Sequence, residues 1–305
     1  MNLKKQRLKD LRQLKEIIKQ NGLTHNFEEY AAFYYFSNEQ INRIFSQINF
    51  ENYHTMLSVL SSGDHAFNAI YHGIDIVDTF DVNRMTEYYA LGFKKRAIEC
   101  LNFEQFCLLY TLNGRDKKLL DLEDEVINNM DHEYKKFWKT YKYKMKEQRK
   151  SGQSVLYWNK EESWPEGGHY NAYLDSEQAY KYLQKRLKGA KITFTHANIT
   201  ELPIKFKAYD FVELSNILSY RKDIYEKKVE YYTSKLIGDI YNNNLKSNGI
   251  IIYQTRGLDP LSPLYTPMRL KRARKTFAES DGWLCVYGLQ KGEVKWQYQN
   301  KEEKI

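Results

Sequence analysis

Small and acidic residues recur at two points of the chain with a spacing that could serve one ligand. Ser61, Ser62, Gly63 and Asp64 follow a mainly apolar segment, and Asp81 ends a second such segment, eighteen residues after Gly63. A glycine-containing turn lets a ligand approach the backbone, and a following helix N-terminus offers N–H groups. A carboxylate at the second position can accept hydrogen bonds from both hydroxyls of a ribose. The spacing predicts a nucleoside site, with a plain tight turn and a helix cap at Asp81 as the alternatives.

His65 is the residue next to this turn whose side chain is best suited to proton transfer near neutral pH. It opens the helix predicted after Asp64, where a simple packing role is equally compatible with the sequence. The seven histidines are scattered, and the cysteines Cys100, Cys107 and Cys285 have no CxxC spacing. The pattern indicates neither a disulfide framework nor a structural metal site.

A parallel sheet is needed to bring these residues together. Strands are predicted at 55–60, 74–80, 191–195, 210–214 and 250–254. They alternate with segments of helical periodicity, which predicts an α/β fold with helices on both faces of the sheet. Ligands of such sheets bind beyond the carboxyl ends of the strands, where the strand order reverses. A hairpin is predicted at 283–298.

Two further regions flank or interrupt the alternation. Residues 1–52 are predicted to form a helical region ahead of the sheet, in which Ser37 and Gln40 form the capping box of one helix. Residues 53–305 are predicted to form the Rossmann-like domain. A segment at about 111–190 has helices of its own and is too long for an ordinary connection, so it is interpreted as a helical insertion.

The charge of the chain permits several partners and selects none. The net charge is +8 and the pI about 9.0. The basic run Arg269–Lys275 is interpreted as a solvated helix face, with contact to an anionic acceptor or lipid headgroup as the alternative. No recognised nucleic-acid-binding motif is present, so nucleic acid is not expected.

The chain has no apolar run of transmembrane length and no apolar stretch typical of a secretory signal, which predicts a cytoplasmic protein. Its rich use of Lys, Asn, Ile and Tyr suggests a bacterial source.

Several segments together resemble a known family. Leu60–Asn68, Asp78–Asn83 and Lys94–Phe106, with a further match at Phe211–Ile217, are similar to the S-adenosylmethionine:diacylglycerol 3-amino-3-carboxypropyltransferase family of betaine-lipid synthesis. Ser-Ser-Gly-Asp followed by Phe-Asp-Val-Asn at this spacing is more specific than a general Rossmann motif. The resemblance covers about half of the chain and implies a class I methyltransferase-like domain, to which the predicted terminal hairpin also points.

The resemblance implies S-adenosylmethionine as the cofactor and a role for individual residues. Gly63 and Asp64 are expected near its methionine end, Asp81 at its ribose and Asn198 at its adenine. The full set expected to bind the cofactor is Ser61, Ser62, Gly63, Asp64, Asp81, Asn83 and Asn198. Ser215 and Asn216 are expected to face the transferred group, so with His65 they are the candidate catalytic residues.

The expected reaction follows from the cofactor. Its sulfonium activates three neighbouring carbons, and the one that faces the nucleophile in line reacts. The resemblance favours 3-amino-3-carboxypropyl transfer, while methyl transfer would use the same motifs and stays the alternative. The acceptor is expected to be a small molecule or a lipid, and peripheral contact with a membrane is compatible with the charge. A non-catalytic nucleotide- or nucleic-acid-binding protein is the alternative from another class.

Overall fold

A computed structural model describes the greater part of the chain. The described residues are 3–19, 35–37, 39–111, 117–150, 170–199, 202, 208–217, 229–256 and 284–291. The basic run Arg269–Lys275 and the second half of the predicted hairpin lie outside these residues. None of the helices in the described part is long and apolar enough to cross a membrane.

One six-stranded sheet organises the described residues. Its strands are β1 (Thr55–Val59), β2 (Ile76–Asp81), β3 (Lys191–His196), β4 (Tyr209–Glu213), β5 (Leu245–Arg256) and β6 (Leu284–Gln290). The order is β3-β2-β1-β4-β5-β6, with β1 to β5 parallel and β6 antiparallel to β5. The order reverses between β1 and β4, whose carboxyl ends therefore form the topological switch point. This confirms the predicted Rossmann-like α/β fold, and the antiparallel strand beside β5 is the feature of its class I methyltransferase variant.

Helices precede, cover and interrupt the sheet. They are α1 (Leu3–Lys19), α2 (Ile41–Phe45), α3 (Asp64–Tyr71), α4 (in three segments, Arg84–Thr86, Glu87–Lys94 and Lys95–Cys100), α5 (Phe103–Thr111), α6 (Lys117–Asn129), α7 (His132–Lys150), α8 (Glu177–Leu187) and α9 (Val229–Asn243). The middle segment of α4 is π-helical. Helix α8, which comes after the predicted insertion's other helices, packs on α3 and α5. The division of the chain into regions stays a prediction.

The sequence of the strands explains why the sheet is covered on both faces. Successive side chains of a strand point to opposite faces. In β1, Met56 belongs to one core cluster and Leu57 to the other, and in β4 the same holds for Phe211 and Val212. Strands that are apolar at consecutive positions can be satisfied only between two layers of helices.

The segment before α2 differs from its prediction. The helix begins at Ile41, and Gln40 occupies the N-cap position without a capping hydrogen bond from its side chain, so the capping box at Ser37 is wrong. The Ser37 hydroxyl instead accepts a hydrogen bond from the N–H of Glu39 at 3.2 Å, and the Ser37 N–H donates to the Asp64 carboxylate at 2.7 Å. A serine can satisfy neighbouring backbone groups in a turn as well as at a helix start, so local sequence does not separate the two.

Helix α1 is held to α4 by buried ion pairs. Arg84 donates two hydrogen bonds to the Asp10 carboxylate, at 2.9 and 2.8 Å, and the Tyr88 hydroxyl donates a third at 2.7 Å. Asp10 is fully buried. Charged hydrogen bonds of this kind are stronger than neutral ones, and they fix the orientation of α1 on the domain.

Candidate functional site

Both loops at the switch point contain a serine with a left-handed backbone. Ser61, two residues after β1, has φ 46°, and Ser215, two residues after β4, has φ 50°. In the described residues the remaining non-glycine residue with positive φ is Asn248. Such conformations cost residues with a side chain about 1–2 kcal/mol, and they cluster at functional sites. The chain therefore stores backbone strain where ligands of this fold bind.

Gly63 is needed for the turn itself. Its φ is 87°, and a Cβ at this position would lie 2.8 Å from Phe67 and 2.9 Å from the Cβ of Ala90. The space at its Cα is thus filled by α3 and α4 and does not admit a ligand from that side. Glycine is required by the left-handed turn and by the close approach of the two helices.

Asp81 ends β2 beside the Ser61 turn. Its Oδ2 accepts a hydrogen bond from the Ser61 N–H at 3.0 Å, and its Oδ1 accepts one from the Asn83 N–H at 2.9 Å. Burial raises the pKa of Asp81 to about 6, against these hydrogen bonds. The Thr86 hydroxyl also lies close to this carboxylate, but it donates to the backbone oxygen of Asn83 at 2.7 Å. A carboxylate has about four acceptor sites, so the two backbone donors leave capacity for the hydroxyls of a ligand.

The helix cap at this point is Asn83 and not Asp81. The Asn83 side chain accepts a hydrogen bond from the N–H of Met85 at 2.9 Å, and α4 begins directly after it. The cap alternative for Asp81 is therefore wrong, because a neighbouring residue performs that role. The same contact gives Asn83, expected among the cofactor-binding residues, a structural function of its own.

Asn198 lies at the same edge as Asp81. Asp81 is in register with His196, and the N–H of Ala197 donates to the backbone oxygen of Asp81 at 3.1 Å. Asn198 follows and is exposed. The structure thus places the expected ribose and adenine contacts on adjacent strands.

The Asp64 side chain faces the interior. Its carboxylate accepts four hydrogen bonds: from Lys94 at 2.6 Å, Tyr173 at 2.7 Å, the Ser37 N–H at 2.7 Å and the Ser62 hydroxyl at 2.8 Å. It has no exposed surface. These donors use about all of its acceptor capacity. Asp64 and Ser62 therefore hold the turn together through their side chains, and the expected place of Asp64 near the methionine end of a cofactor stays a prediction that concerns its backbone.

His65 lies between two buried carboxylates. Its Nε2 is 3.0 Å from Glu39 Oε2, and its Nδ1 is 3.1 Å from Glu213 Oε2. Burial lowers the pKa of His65, but the charges of Glu213 and Glu39 outweigh it and raise the pKa to about 9. For Glu213 burial has the opposite effect: it raises the pKa to about 7, although the positive charge of His65 favours the ionised carboxylate. The raised pKa values mean that this buried cluster can bind protons, and both predictions for His65, proton transfer and packing, stay open.

Ser215 belongs to this cluster, and Asn216 lies at its margin. The Ser215 hydroxyl donates to Glu39, and its N–H donates to Glu213 Oε1 at 2.6 Å. Gln254 Nε2 donates to Glu39 Oε2 at 2.6 Å. Asn216 is half-buried, with its Oδ1 3.4 Å from the Ser215 hydroxyl. The second loop thus has a buried serine and a more accessible amide.

The predicted site residues divide into an accessible rim and a buried floor at one edge of the sheet. The rim consists of Ser61, Asp81, Asn198 and Asn216, and the floor of Ser62, Gly63, Asp64, His65, Asn83 and Ser215. Sequence reasoning missed Glu39 and Glu213. Glu213 could have been found from the sequence, because it is a carboxylate within the otherwise apolar segment Phe211–Leu214. Glu39 could not, because it belongs to a segment whose path is not determined by local sequence.

No protein-family model matches the chain, and no curated protein matches it. The chain is similar in structure to the rRNA methyltransferase AviRa from Streptomyces viridochromogenes, with 13% identity, 82% of each chain covered and a TM-score of 0.39. It is also similar to the N-methyltransferase NodS from Bradyrhizobium japonicum, with 9% identity, 83% of this chain and 92% of that chain covered and a TM-score of 0.39. A putative S-adenosylmethionine-dependent methyltransferase from Listeria monocytogenes has 10% identity, 83% and 98% coverage and a TM-score of 0.38. These are likenesses of fold alone, and the fold of this chain is established by its own strand order.

Proposed function

We propose that this protein is an S-adenosylmethionine-dependent transferase and that it moves the methyl group. The observation that supports this most is the Asp81 carboxylate, which ends β2 beside the switch point and is oriented by the N–H groups of Ser61 and Asn83. In doubly wound sheets an acidic residue after the second strand binds the ribose of a nucleoside cofactor. S-adenosylmethionine is the nucleoside cofactor of the class I methyltransferase topology.

The other rim residues have corresponding proposed roles. Asn198 would contact the adenine, and the N-terminus of α3 would attract the carboxylate of the methionine moiety. Asn216 would face the sulfonium and the acceptor. His65 is buried and contacts Glu39, which accepts a hydrogen bond from the Ser215 hydroxyl, so among the described residues these two side chains would pass a proton from an acceptor to it.

Methyl transfer at this edge needs mainly placement. S-adenosylmethionine would supply a methyl group bonded to a positively charged sulfur. Transfer of that group to a lone pair of the nucleophilic acceptor would leave S-adenosylhomocysteine, and the acceptor would release its proton to a base or to water. The rim residues would hold the cofactor with its methyl carbon in line with the acceptor, and such placement supplies much of the rate enhancement.

Transfer of the 3-amino-3-carboxypropyl group is the second candidate. The resemblance of Leu60–Asn68 and Phe211–Ile217 to the aminocarboxypropyltransferase family favours it. The same nucleophile would then attack a different carbon on the same sulfur, and the nucleoside product would be 5′-methylthioadenosine. The proposed acceptor in either case is a small molecule or a lipid.

Calorimetry and product analysis test this proposal. The purified chain is titrated with S-adenosylmethionine and S-adenosylhomocysteine, then incubated with S-adenosylmethionine and separate aqueous and lipid extracts of cells. Mass spectrometry of the spent cofactor should show S-adenosylhomocysteine; 5′-methylthioadenosine would favour the second candidate. Binding without turnover on either extract would favour a nucleotide sensor, and no binding of either nucleoside would contradict the proposal. A strongly salt-dependent affinity for RNA would favour the nucleic-acid alternative.

A further inference from the structure

The cluster of Glu39, His65 and Glu213 has the donor atoms of a metal site. The three residues are at 4%, 1% and 1% exposure, and they come from the segment before α2, the first turn of α3 and the end of β4. One ligand atom from each lies within 4.8 Å of the others. The cluster therefore joins three separate segments of the chain at the switch point.

The Nδ1 atom of His65 faces the Glu213 carboxylate inside it. His65 Nε2 is paired with Glu39, which leaves Nδ1 with the lone pair in a neutral imidazole. Nδ1 is 3.1 Å from Glu213 Oε2, yet it has no hydrogen-bond partner in the part of the chain that the structure describes. The Ser58 hydroxyl is 3.4 Å from this Glu213 oxygen, and it lies closer, at 2.9 Å, to the backbone oxygen of Val59. A cation between Nδ1 and Oε2 would satisfy both.

Gln254 lies at the margin of the cluster. It is 1% exposed, and its Nε2 is fixed by the hydrogen bond to Glu39. Its Oε1 has no hydrogen-bond partner among the described residues. A buried amide oxygen without a donor is unfavourable, so a second polar atom of this region is left for a bound group to satisfy.

We propose that this cluster binds one divalent transition-metal ion, with His65 Nδ1 and Glu213 as ligands and Glu39 holding the imidazole through its Nε2–H. The 3.1 Å separation of Nδ1 and Oε2 suits two metal–ligand bonds of about 2.0–2.2 Å. A carboxylate on the far nitrogen is the usual means of orienting a metal-bound histidine. Mixed nitrogen and oxygen ligands suit Zn²⁺, Mn²⁺ or Fe²⁺ better than Ca²⁺ or Mg²⁺.

The sequence predicts no metal site, because its ligands lie far apart in the chain and have no motif spacing. This inference rests on the cluster alone and not on the proposed transfer reaction.

Metal analysis of the untagged, full-length protein tests it. The chain is dialysed against chelator, then against buffers containing Zn²⁺ or Mn²⁺, and the retained metal is measured by mass spectrometry together with the thermal midpoint. We expect one ion per chain and a higher midpoint in at least one of the two metals. A chain that retains neither ion and shows no shift of its midpoint would overturn the proposal and leave an imidazolium between two carboxylates.

Variants distinguish the two carboxylates. E213Q should abolish retention, and E39Q should weaken metal affinity about tenfold to a hundredfold, as loss of an orienting carboxylate does. Glu123→Gln, which changes a buried glutamate in α6, is the matched control and should retain the ion. Full retention by E213Q would also overturn the assignment. Should E213Q fail to fold, the metal content of the unchanged chain still decides.

Discussion

The carboxylate of Asp81 accepts a hydrogen bond from the backbone N–H of Ser61 at 3.0 Å and so ties the end of β2 to the turn that follows β1. Ser61 has a left-handed backbone, and this contact helps to hold it there. Two residues that the sequence analysis expects to bind one cofactor are thus joined to each other by a hydrogen bond. A ligand that binds Asp81 would also fix the turn at the switch point.

Asp81→Asn should separate cofactor binding from folding. Asparagine keeps one acceptor oxygen but loses the charge, and hydrogen bonds to charged groups contribute about 1.5–3 kcal/mol. Affinity for S-adenosylhomocysteine, measured by calorimetry, should therefore fall about tenfold to a hundredfold. The free energy of unfolding without ligand should fall by only about 1 kcal/mol, because one of two N–H donors loses its acceptor while Asn83 still caps α4.

Asp75→Asn is the matched control for this change. Asp75 stands just before β2, at the opposite edge of the sheet, where its half-exposed carboxylate pairs with Arg186. Its substitution should leave nucleoside affinity unchanged. Equal affinities for Asp81→Asn, Asp75→Asn and the unchanged chain would show that Asp81 does not bind the cofactor.

The affinity should also depend on pH in one direction. Burial raises the pKa of Asp81 to about 6, so the carboxylate that accepts the hydroxyls is present above this pH and is lost as the pH falls through it. About a tenth of the Asp81 carboxyl groups remain ionised one pH unit below this pKa. Affinity for S-adenosylhomocysteine should therefore fall about tenfold between pH 7.5 and 5. Calorimetry at a series of pH values checks this, and Asp81→Asn should show a flatter profile.

The contribution of Asp81 to the stability of the ligand-free protein should change with pH in the opposite direction to its contribution to cofactor affinity. A carboxyl whose pKa is higher in the folded chain binds more protons there than in the unfolded chain between about pH 4 and 6. Its contribution to the free energy of unfolding therefore rises as the pH falls through that window. Urea denaturation of the unchanged chain and of Asp81→Asn at several pH values measures this difference, and equal pH dependence in both would contradict the raised pKa.

The fold could be predicted because its central strands β1 and β4 are buried on both faces. Consecutive apolar residues such as Phe211 and Val212 have no place except between two layers, so the strand and the layer order follow from the same pattern. The position of Asp81 follows in turn, since a polar residue that ends such a strand must lie at the edge of the sheet. These inferences need only short-range sequence.

The floor of the site could not be predicted in this way. Glu39 lies in the polar run Ser37–Gln40, which has the composition of a helix start, yet its carboxylate contacts His65 and Gln254. That contact depends on how the segment before α2 crosses the ends of the strands, which is decided by tertiary packing. The four donors on Asp64 are equally non-local, since Tyr173 comes from a distant part of the chain.

Lys94→Met should test the ion pair beneath the first turn. Lys94 Nζ is 2.6 Å from Asp64 Oδ1, and neither side chain is exposed. Removal of one partner leaves a buried charge uncompensated, so the free energy of unfolding should fall by about 3–5 kcal/mol in urea denaturation. The double variant Lys94→Met with Asp64→Asn should lose less than the sum of the single changes, because the remaining charge is removed as well.

Lys95→Met is the control for that experiment. Lys95 is the next residue, and its ion pair with Glu99 is partly open to solvent. Pairs of this kind contribute about 0–1 kcal/mol. A loss for Lys94→Met no larger than that for Lys95→Met would contradict the assignment of the buried pair as a stabilising unit.

Gly63→Ala should destabilise the chain through two additive causes. The left-handed backbone at φ 87° costs a residue with a Cβ about 1–2 kcal/mol. The new methyl group would meet Phe67 at 2.8 Å and the Cβ of Ala90 at 2.9 Å, and overpacking of this kind costs about 1–3 kcal/mol more.

Gly189→Ala serves as the control. A Cβ at Gly189 would have the Arg186 oxygen, at 3.9 Å, as its nearest neighbour, so this substitution should be neutral or slightly stabilising. Both are measured by urea denaturation. If Gly63→Ala is tolerated as well as Gly189→Ala, then α4 can move away from α3, and the turn between β1 and α3 is not the rigid support that the proposed cofactor site needs.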